Sequence, residues 1–360
     1  MPPDRLDPSV FRLPLEQLRD GWYSDAYFTL ARDLLEAEDH AARVTMQIFQ
    51  RNQSILGGID EAIALLRLCA GRRTPDGYQL GWDELEVHAL YEGDRIAPWE
   101  TVMTIEGDYR LFAHLETVYL GCLARRSRVM ANVRAVVEAA HGKPILFFPA
   151  RHDHWLVQTG DGWAAHVAGA IGVSTDAQAS WWGGRGVGTV PHALIAAYGG
   201  DTVAAARAFA RRFAHEMNVT VLVDFDNDSI ATTLAVAEAL GDDLWGVRLD
   251  TSGSLVDRAL WEEMGDDDPT GVNPRLVRKV RLALDAAGHE RVHIVVSGGF
   301  TVERIGAFEA EGVPVDAYGV GSALLRGSDD FTADVVAVDG RPVAKVGRHL
   351  RPNPRLQRVE

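Results

Sequence analysis

A chain of 360 residues with 47% hydrophobic and 24% charged residues has the composition of an ordinary globular protein, with room for a large domain and a smaller one. Its formal net charge of −15 excludes a broad basic face for nucleic acid. A local cluster of arginines and backbone amides can still bind an anionic substrate. Its two cysteines, Cys69 and Cys122, provide neither a disulfide framework nor a zinc-binding pair.

From its first residues we expect no targeting signal in this chain. It lacks the basic and apolar regions of a signal peptide, and no apolar run reaches membrane-spanning length. We therefore expect a cytoplasmic enzyme with no membrane partner.

The first hundred or so residues predict a mixed α/β segment. The predicted helices are DAYFTLARDLLE and residues 61–69, and the predicted strands are residues 86–91 and 101–105. A long helical pattern follows over residues 111–140 and is stopped by Gly142, with Pro144 just beyond it.

After this helix, short apolar runs alternate with helical patterns, which is typical of βα units around a parallel sheet. The predicted strands are residues 144–148, 220–225, 244–250, 293–299 and 317–322. Gly241 marks the end of one helix, while Asn273 and Thr301 are predicted N-caps of two others. Strands that are apolar on both faces belong in a barrel or in a doubly wound sheet.

The C-terminal segment has a different pattern. The runs ADVVAV and RPVAKV flank Asp339–Gly340, a strong signal for a type I′ hairpin. Because a hairpin does not fit the βα pattern, we expect it to return to the N-terminal domain. The acidic run at 266–268 is predicted to be a solvated loop rather than a metal site.

Glycine-rich turns follow the last two predicted strands, at Ser297-Gly298-Gly299 and at Gly319-Val320-Gly321-Ser322. Glycine lets backbone N–H groups approach an anion closely, and a helix N-terminus adds a favourable dipole. Barrels commonly bind phosphate with the loops after their final two strands. Alternatively, the glycines only make tight turns, but two such loops in succession favour phosphate.

Charged side chains end two of the other strands. Arg248 and Asp250 alternate along one strand and therefore lie on the same side of it. Asp224 has the same strand-end place one βα unit earlier. Two carboxylates there can hold Mg²⁺-bound waters or ribose hydroxyls, and an arginine can bind a carboxylate or phosphate. The alternative is a buried ion pair, although carboxylates on the loop-bearing face favour function.

Two further motifs are ambiguous by themselves. His192 follows a glycine-rich run in GTVPH, where it can be a nucleophile, an acid or base, or a structural residue. Phe148 precedes Arg151 by three residues, a spacing suited to stacking on a flat ring and binding its carboxylate. His152 and His154 lack a third ligand in the sequence nearby, so zinc is not favoured and their role stays open.

In their order and spacing, the motifs GTVPHALI, VRLDT, VSGGF and AYGVGSALL resemble those of the nicotinate phosphoribosyltransferases, and in particular the shorter bacterial and archaeal members. The similarity extends from SDAYF to DGRPVAKVGR and so covers most of the chain. It implies an irregular α/β, TIM-like barrel over residues 111–330. It also implies a smaller N-terminal α/β domain over residues 1–110, completed by a C-terminal hairpin over residues 331–360.

The resemblance also implies roles for residues that bind the two organic substrates. His192 matches a histidine that ATP phosphorylates, and Phe148 and Arg151 match residues that stack on and orient the pyridine ring. Tyr27 matches an aromatic residue that covers the ring from the neighbouring subunit of a homodimer with shared active sites.

Other matched positions surround the phosphorylated sugar. Arg248, Asp250 and Asp224 match the group around the ring carboxylate, the ribose and Mg²⁺. The expected cradle for the 5′-phosphate consists of Ser297, Gly298, Gly299, Gly319, Gly321 and Ser322.

The implied reaction joins nicotinate to phosphoribosyl pyrophosphate, with ATP as co-substrate and Mg²⁺ as cofactor, giving nicotinate mononucleotide in NAD salvage. Many family members carry paired arginines where this chain has Arg151-His152, so one anion contact is weakened or replaced. Alternative substrates are nicotinamide and quinolinate, the latter disfavoured by the GT-x-x-H motif. A non-catalytic nucleotide-binding regulator would not need both His192 and Asp250.

Overall fold

A computed structural model of the protein describes residues 4–265 and 269–360. The chain divides into two compact units, Met1–Ala131 with Gly327–Glu360, and Asn132–Arg326. The division falls within a long helix, whereas the family resemblance implies a first domain over residues 1–110. The acidic run at 266–268 lies outside the described residues.

The first unit is built on an antiparallel sheet with the strand order β15 (Arg341–Pro342), β14 (Phe331–Val338), β1 (Arg43–Gln50), β7 (Thr101–Asp108), β5 (Glu86–Ala89) and β16 (Gln357–Arg358). Its helices are α1 (Leu15–Arg19), α2 (Ala26–Ala37), α3 (Ile59–Cys69) and the start of α4 (Glu116–Ala139). Its strands are β1 (Arg43–Gln50), β2 (Ser54–Ile55), β3 (Gly71–Thr74), β4 (Gly77–Leu80), β5 (Glu86–Ala89), β6 (Arg95–Ile96), β7 (Thr101–Asp108), β14 (Phe331–Val338), β15 (Arg341–Pro342) and β16 (Gln357–Arg358).

The predicted return of the C-terminal hairpin to this unit is confirmed. β14 pairs antiparallel with β1 and with β15. Asp339 and Gly340 both have positive φ, of 48° and 72°, which is the backbone of the type I′ turn that the Asp-Gly pair predicts. The second strand is shorter than the RPVAKV run, since only Arg341–Pro342 pairs with β14.

Apolar residues at helical spacing bury one whole side of α3 in the core of this unit. Ile59, Ile63 and Leu66 are each at most 4% exposed. Burying a side chain of this size contributes about 1.5–3 kcal/mol to stability. Glu92 caps the helix, because its carboxylate accepts hydrogen bonds from the backbone N–H groups of Gly58 and Asp60.

The second unit alternates strands and helices, as the sequence pattern predicts. Its strands are β8 (Ile145–Phe147), β9 (Gly172–Val173), β10 (Val219–Leu222), β11 (Leu244–Leu249), β12 (His293–Val296) and β13 (Ala317–Val320). Its helices are α5 (Gln158–Val167), α6 (Asp176–Ala179), α7 (His192–Ala197), α8 (Thr202–Phe213), α9 (Ser229–Leu240), α10 (Pro274–Ala286) and α11 (Val302–Ala310).

These strands form a parallel sheet in the order β10-β11-β12-β13-β8-β9, which curls toward closure. The segment 187–190 hydrogen-bonds to both edge strands: Val187 N donates to Val173 O (2.7 Å) and Val190 N donates to Thr220 O (2.9 Å). A sheet closed in this way confirms the irregular barrel rather than a doubly wound sheet. The carboxyl ends of its strands meet at one rim, where barrels position their functional residues.

Two helix starts follow the predicted caps. Asn273 accepts a hydrogen bond from Leu276 N (3.1 Å), and Thr301 accepts one from Arg304 N (3.3 Å). In the described parts of the chain, the helices are too short or too polar to cross a lipid bilayer.

Candidate active site

A cavity of about 790 Å³ opens at the carboxyl ends of the strands of the second unit. Its walls come from the segments that follow β8, β9, β11, β12 and β13, together with the segment before α7. The predicted site residues that line it are Phe148, Arg151, His192, Arg248, Asp250, Ser297, Gly298, Gly299, Gly319, Gly321 and Ser322. Residues from distant parts of the sequence therefore meet at one mouth, as a barrel requires.

The turn between β12 and α11 forms one wall of the cavity. Gly298 and Gly299 both have left-handed backbone conformations, with φ of 87° and 73°, which glycine adopts without strain. Within the described residues, the N–H groups of Gly298, Gly299 and Phe300 have no hydrogen-bond acceptor. Unpaired amides at the start of a helix form an anion-binding site.

The two glycines at the end of β13 make room for side chains from the β8 loop. A Cβ atom on Gly319 would lie only 2.7 Å from two ring carbons of Phe148. A Cβ atom on Gly321 would lie 3.0 Å from the imidazole of His152. Gly319 lies inside the strand, so its contact is with the aromatic ring, which differs from the phosphate contact that the family resemblance implies.

Arg248, Asp250 and Ser297 form a hydrogen-bonded group on the cavity wall. The Arg248 Nε donates to Ser297 Oγ (2.7 Å), which donates to Asp250 Oδ1 (2.6 Å). The Arg248 Nη2 lies 3.3 Å from Asp250 Oδ2, and the guanidinium lies over the Phe148 ring, 5.1 Å from its centroid. The alternation of side chains along β11 predicts this proximity of Arg248 and Asp250. Because the Ser297 hydroxyl accepts from Arg248 and donates to Asp250, Ser297 positions these two side chains.

His192, the first residue of α7, pairs with Asp224, which follows β10. Its Nε2 lies 3.0 Å from Asp224 Oδ1, and the Asp224 side chain is 6% exposed. Burial raises the pKa of Asp224 above the usual value for an aspartate, and the His192 hydrogen bond opposes that shift. A carboxylate that accepts the Nε2 proton leaves the Nδ1 lone pair available for attack on an electrophile.

The remaining predicted residues are more peripheral. Arg151 and His152 are exposed on the cavity rim, whereas His154 stacks on Trp155, with ring centroids 5.4 Å apart. His152 and His154 therefore do not act as a pair. Tyr27 belongs to the first unit, where it lies on α2 with 62% of its surface exposed.

The two aspartates suit an ion that arrives with its ligand better than a resident metal. No group of three or more His, Cys, Asp and Glu side chains able to hold a metal occurs within residues 4–265 and 269–360. Mg²⁺ is usually held by one or two carboxylates with waters and substrate phosphates. Asp224 has one side-chain partner, His192, and Asp250 has two, Ser297 and Arg248. The two carboxylates fit this mode of Mg²⁺ binding.

Several residues that line the cavity were not singled out from the sequence. Thr189 Oγ1 lies 3.4 Å from Arg248 Nη1 as a weak acceptor, and Thr175 and Arg326 also line the cavity. Thr189 belongs to the GTVPH motif and could have been identified there. Arg326 has no comparable signal, because it follows a short turn after β13.

Comparison with known proteins identifies relatives of both units. The family model "Quinolinate phosphoribosyl transferase, N-terminal domain" matches residues 25–127. Nicotinate phosphoribosyltransferase pncB1 of Mycobacterium tuberculosis is 32% identical over 269 residues, covering 72% of this chain and 55% of the relative. The chain thus spans about half the length of the curated relatives that it matches.

Solved structures match over nearly the whole chain. A nicotinate-nucleotide pyrophosphorylase from Pyrococcus furiosus is 30% identical with a TM-score of 0.78, covering 97% of this chain and 85% of the other. The human nicotinic acid phosphoribosyltransferase has a TM-score of 0.69 at 20% identity, covering 91% of this chain and 77% of the other. The human protein shares the fold with this chain.

Proposed function

Because this chain belongs to the nicotinate phosphoribosyltransferase family, we propose that it joins nicotinate to phosphoribosyl pyrophosphate in an ATP-coupled reaction of NAD salvage. The observation that carries the proposal is a single cavity lined by unpaired glycine amides, the Arg248–Asp250 pair and His192. The amides suit the phosphate, the Arg248–Asp250 pair suits the ribose, and His192 suits the co-substrate ATP.

The substrates have complementary groups on the cavity wall. The amides of Gly298, Gly299 and Phe300 would bind the 5′-phosphate, and Gly321 and Ser322 line the same cavity. The pyridine ring would stack on Phe148. The Nε of Arg248 donates to Ser297 and its Nη2 pairs with Asp250, whereas its Nη1 makes only a long hydrogen bond to Thr189 (3.4 Å). This Nη1 and the exposed Arg151 can therefore reach the nicotinate carboxylate.

The reaction is a displacement at the anomeric carbon of the ribose. The pyridine nitrogen forms a bond to this carbon as the bond to the pyrophosphate oxygen breaks, and the electron pair leaves on pyrophosphate. Positive charge develops on the ribose, where Asp250 can stabilise it. Mg²⁺, held through waters by Asp224 and Asp250, would neutralise the leaving pyrophosphate. Phe148 and Arg151 would hold the nicotinate ring in line for attack.

ATP coupling would proceed through His192. Asp224 holds the Nε2 proton, so Nδ1 attacks the γ-phosphorus as the bond to the ADP oxygen breaks, and water later hydrolyses the phosphohistidine. Incubation with ATP labelled at the γ-phosphate should label the protein, and His192→Ala should abolish the label. Labelling that survives this substitution would contradict the role of His192.

A homodimer with shared active sites is supported by an exposed apolar stripe on α2. Tyr27, Leu30 and Leu34 follow helical spacing and are each more than 60% exposed, and Trp22 lies nearby in the chain at 77% exposed. We propose that this stripe packs on a second copy, so that Tyr27 covers its pyridine site. Leu30→Asp with Leu34→Asp should yield monomers in sedimentation experiments, and unaltered dimers would refute the assignment.

One assay tests the proposed function. Nicotinate, nicotinamide and quinolinate are each supplied with phosphoribosyl pyrophosphate and Mg²⁺, with and without ATP, and the mononucleotide is quantified. We expect the highest kcat/KM with nicotinate, increased by ATP. A higher value with nicotinamide, or mononucleotide with CO₂ from quinolinate alone, would assign the chain to one of those reactions instead.

A further inference from the structure

We propose that Arg304, which lies outside the cavity on α11, is a positioning residue for the phosphate loop Gly298–Phe300. It orients the amides of this loop toward the ligand and adds a positive charge behind them. The inference rests on the proposed function, since it assigns a role in binding the phosphorylated sugar.

The contacts of Arg304 are directed at the loop backbone. Its Nη1 donates to the carbonyl oxygens of Gly298 (2.8 Å) and Gly299 (3.2 Å). Its Nη2 donates to the carbonyl oxygen of Val272. The guanidinium also lies over the Phe300 ring, 4.5 Å from its centroid. One side chain thus holds two consecutive peptide groups of the loop.

These hydrogen bonds fix the direction of the amides. In a trans peptide the C=O and the following N–H point in opposite directions. When the carbonyls of Gly298 and Gly299 turn toward Arg304, the N–H groups of Gly299 and Phe300 turn away from it. Gly298, Gly299 and Phe300 line the cavity, and Arg304 does not. The amides that lack an acceptor are therefore held toward the space that an anion would fill.

The charge of Arg304 is not neutralised by a carboxylate. Its side-chain hydrogen bonds go to carbonyl oxygens, and it forms no ion pair within the described residues. Burial lowers the pKa of Arg304 below the usual arginine value, which agrees with a charge that lacks a protein counter-ion. A dianionic phosphate in front of the loop would supply that counter-charge through the aligned peptide dipoles.

Two substitutions separate the charge from the geometry. Arg304→Met removes the cation and both carbonyl contacts while keeping a long apolar stem over Phe300. Arg304→Lys keeps the charge but loses the guanidinium fork that reaches two carbonyls. Arg278→Met is a matched control, because Arg278 also donates to two carbonyls, of Glu311 and Gly312, but lies on α10 away from the cavity lining.

The readouts are the affinity for ribose 5-phosphate by calorimetry and the separate KM values for phosphoribosyl pyrophosphate and nicotinate. For Arg304→Met we expect the ribose 5-phosphate Kd and the phosphoribosyl pyrophosphate KM to rise about tenfold or more, the scale of one charged hydrogen bond. The nicotinate KM and kcat should stay within about threefold, below the scale of such a bond. Arg304→Lys should lie between Arg304→Met and wild type, and Arg278→Met should match wild type.

The outcomes separate this inference from the proposed function. If wild type binds ribose 5-phosphate and the folded Arg304 variants bind it equally well, the role of Arg304 is wrong while the function stands. A uniform loss of kcat and of both affinities, with a lowered melting temperature, would make Arg304 merely structural and would also refute the inference. If wild type neither binds ribose 5-phosphate nor forms the mononucleotide, the proposed function fails and the inference fails with it.

Discussion

The substitution Gly319→Ala would displace the ring of Phe148. The added Cβ would lie 2.7 Å from two ring carbons of Phe148 and 3.3 Å from the Cβ of Ser297. Carbon atoms pack comfortably at about 3.5 Å or more, so the ring must move by about 0.8 Å. The backbone of Gly319 lies in β13 with an ordinary negative φ and accepts alanine without strain, so the effect arises from the contacts with Phe148 and Ser297 and not from the backbone.

The displacement should weaken nicotinate binding and also destabilise the fold. Overpacking of a well-packed site costs about 1–3 kcal/mol of stability. An aromatic contact in good geometry is worth about 0.5–1.5 kcal/mol, so losing it should raise the nicotinate KM by about two- to twelvefold. The KM for phosphoribosyl pyrophosphate should change less, because the loop Gly298–Phe300 does not move. Steady-state kinetics with each substrate varied, together with urea unfolding, measures all three quantities.

A matched control is available on α11. Nothing lies within 4 Å of a Cβ placed on Gly306, and its backbone is helical. Gly306→Ala should leave both KM values unchanged and raise stability by about 0.5–1 kcal/mol through reduced backbone entropy of the unfolded chain. If folded Gly319→Ala protein keeps the wild-type nicotinate KM and kcat, Phe148 does not hold the pyridine ring.

Three further substitutions have distinct expected results. Asp224→Asn should slow phosphorylation by ATP by about 100-fold or more, because the carboxylate that orients His192 is lost, and should lower ATP-independent transfer less, since Asp250 would still hold Mg²⁺; equal rates of label incorporation would contradict this. Arg248→Lys should raise the nicotinate KM about tenfold, since lysine cannot hold Ser297, Asp250 and a ligand at once; an unchanged KM would exclude Arg248 from ligand binding. Burial raises the pKa of Glu116 from 4.5 to about 8. Between these pH values the folded chain retains a proton that the unfolded chain releases, so the free energy of unfolding falls as the pH rises. Glu116→Gln should therefore equal wild type near pH 4 and exceed it by about 1–3 kcal/mol at pH 9 in urea unfolding; parallel pH profiles would refute this.

Much of the barrel follows from local sequence signals. β11, β12 and β13 appear as apolar runs, and Asn273 and Thr301 cap the helices where their side chains predict. The meeting of strand-end residues is also predictable, because parallel strands in one barrel deliver their carboxyl ends to one rim.

Other features depend on contacts between distant parts of the chain. β1 was not predicted, although it pairs with both β7 and β14, the latter almost 300 residues away in the sequence. α8 was also missed, even though Asp201 caps it by accepting from Ala204 N. Neither local periodicity nor turn signals predict that the segment 187–190 hydrogen-bonds to the edge strands β9 and β10.

Within the site, the sequence predicts which residues are present better than it predicts their partners. The contact of Phe148 with Gly319 requires that β13 pairs with β8, a neighbour relation that no local pattern contains. The His192–Asp224 pair similarly depends on the path of the chain around the rim. In the sequence, Arg304 looks like an ordinary surface residue of an amphipathic helix. Its role is not visible there, because its contacts with the loop Gly298–Phe300 set the direction of its side chain.

The central claim is that one cavity binds a phosphorylated ribose and a pyridine ring together. A crystal structure with nicotinate mononucleotide tests it most directly. We predict the 5′-phosphate at the amides of Gly299 and Phe300, the ribose beside Asp250 and the pyridine ring on Phe148. A nucleotide whose phosphate lies away from the loop Gly298–Phe300, or whose ring does not contact Phe148, would contradict the account.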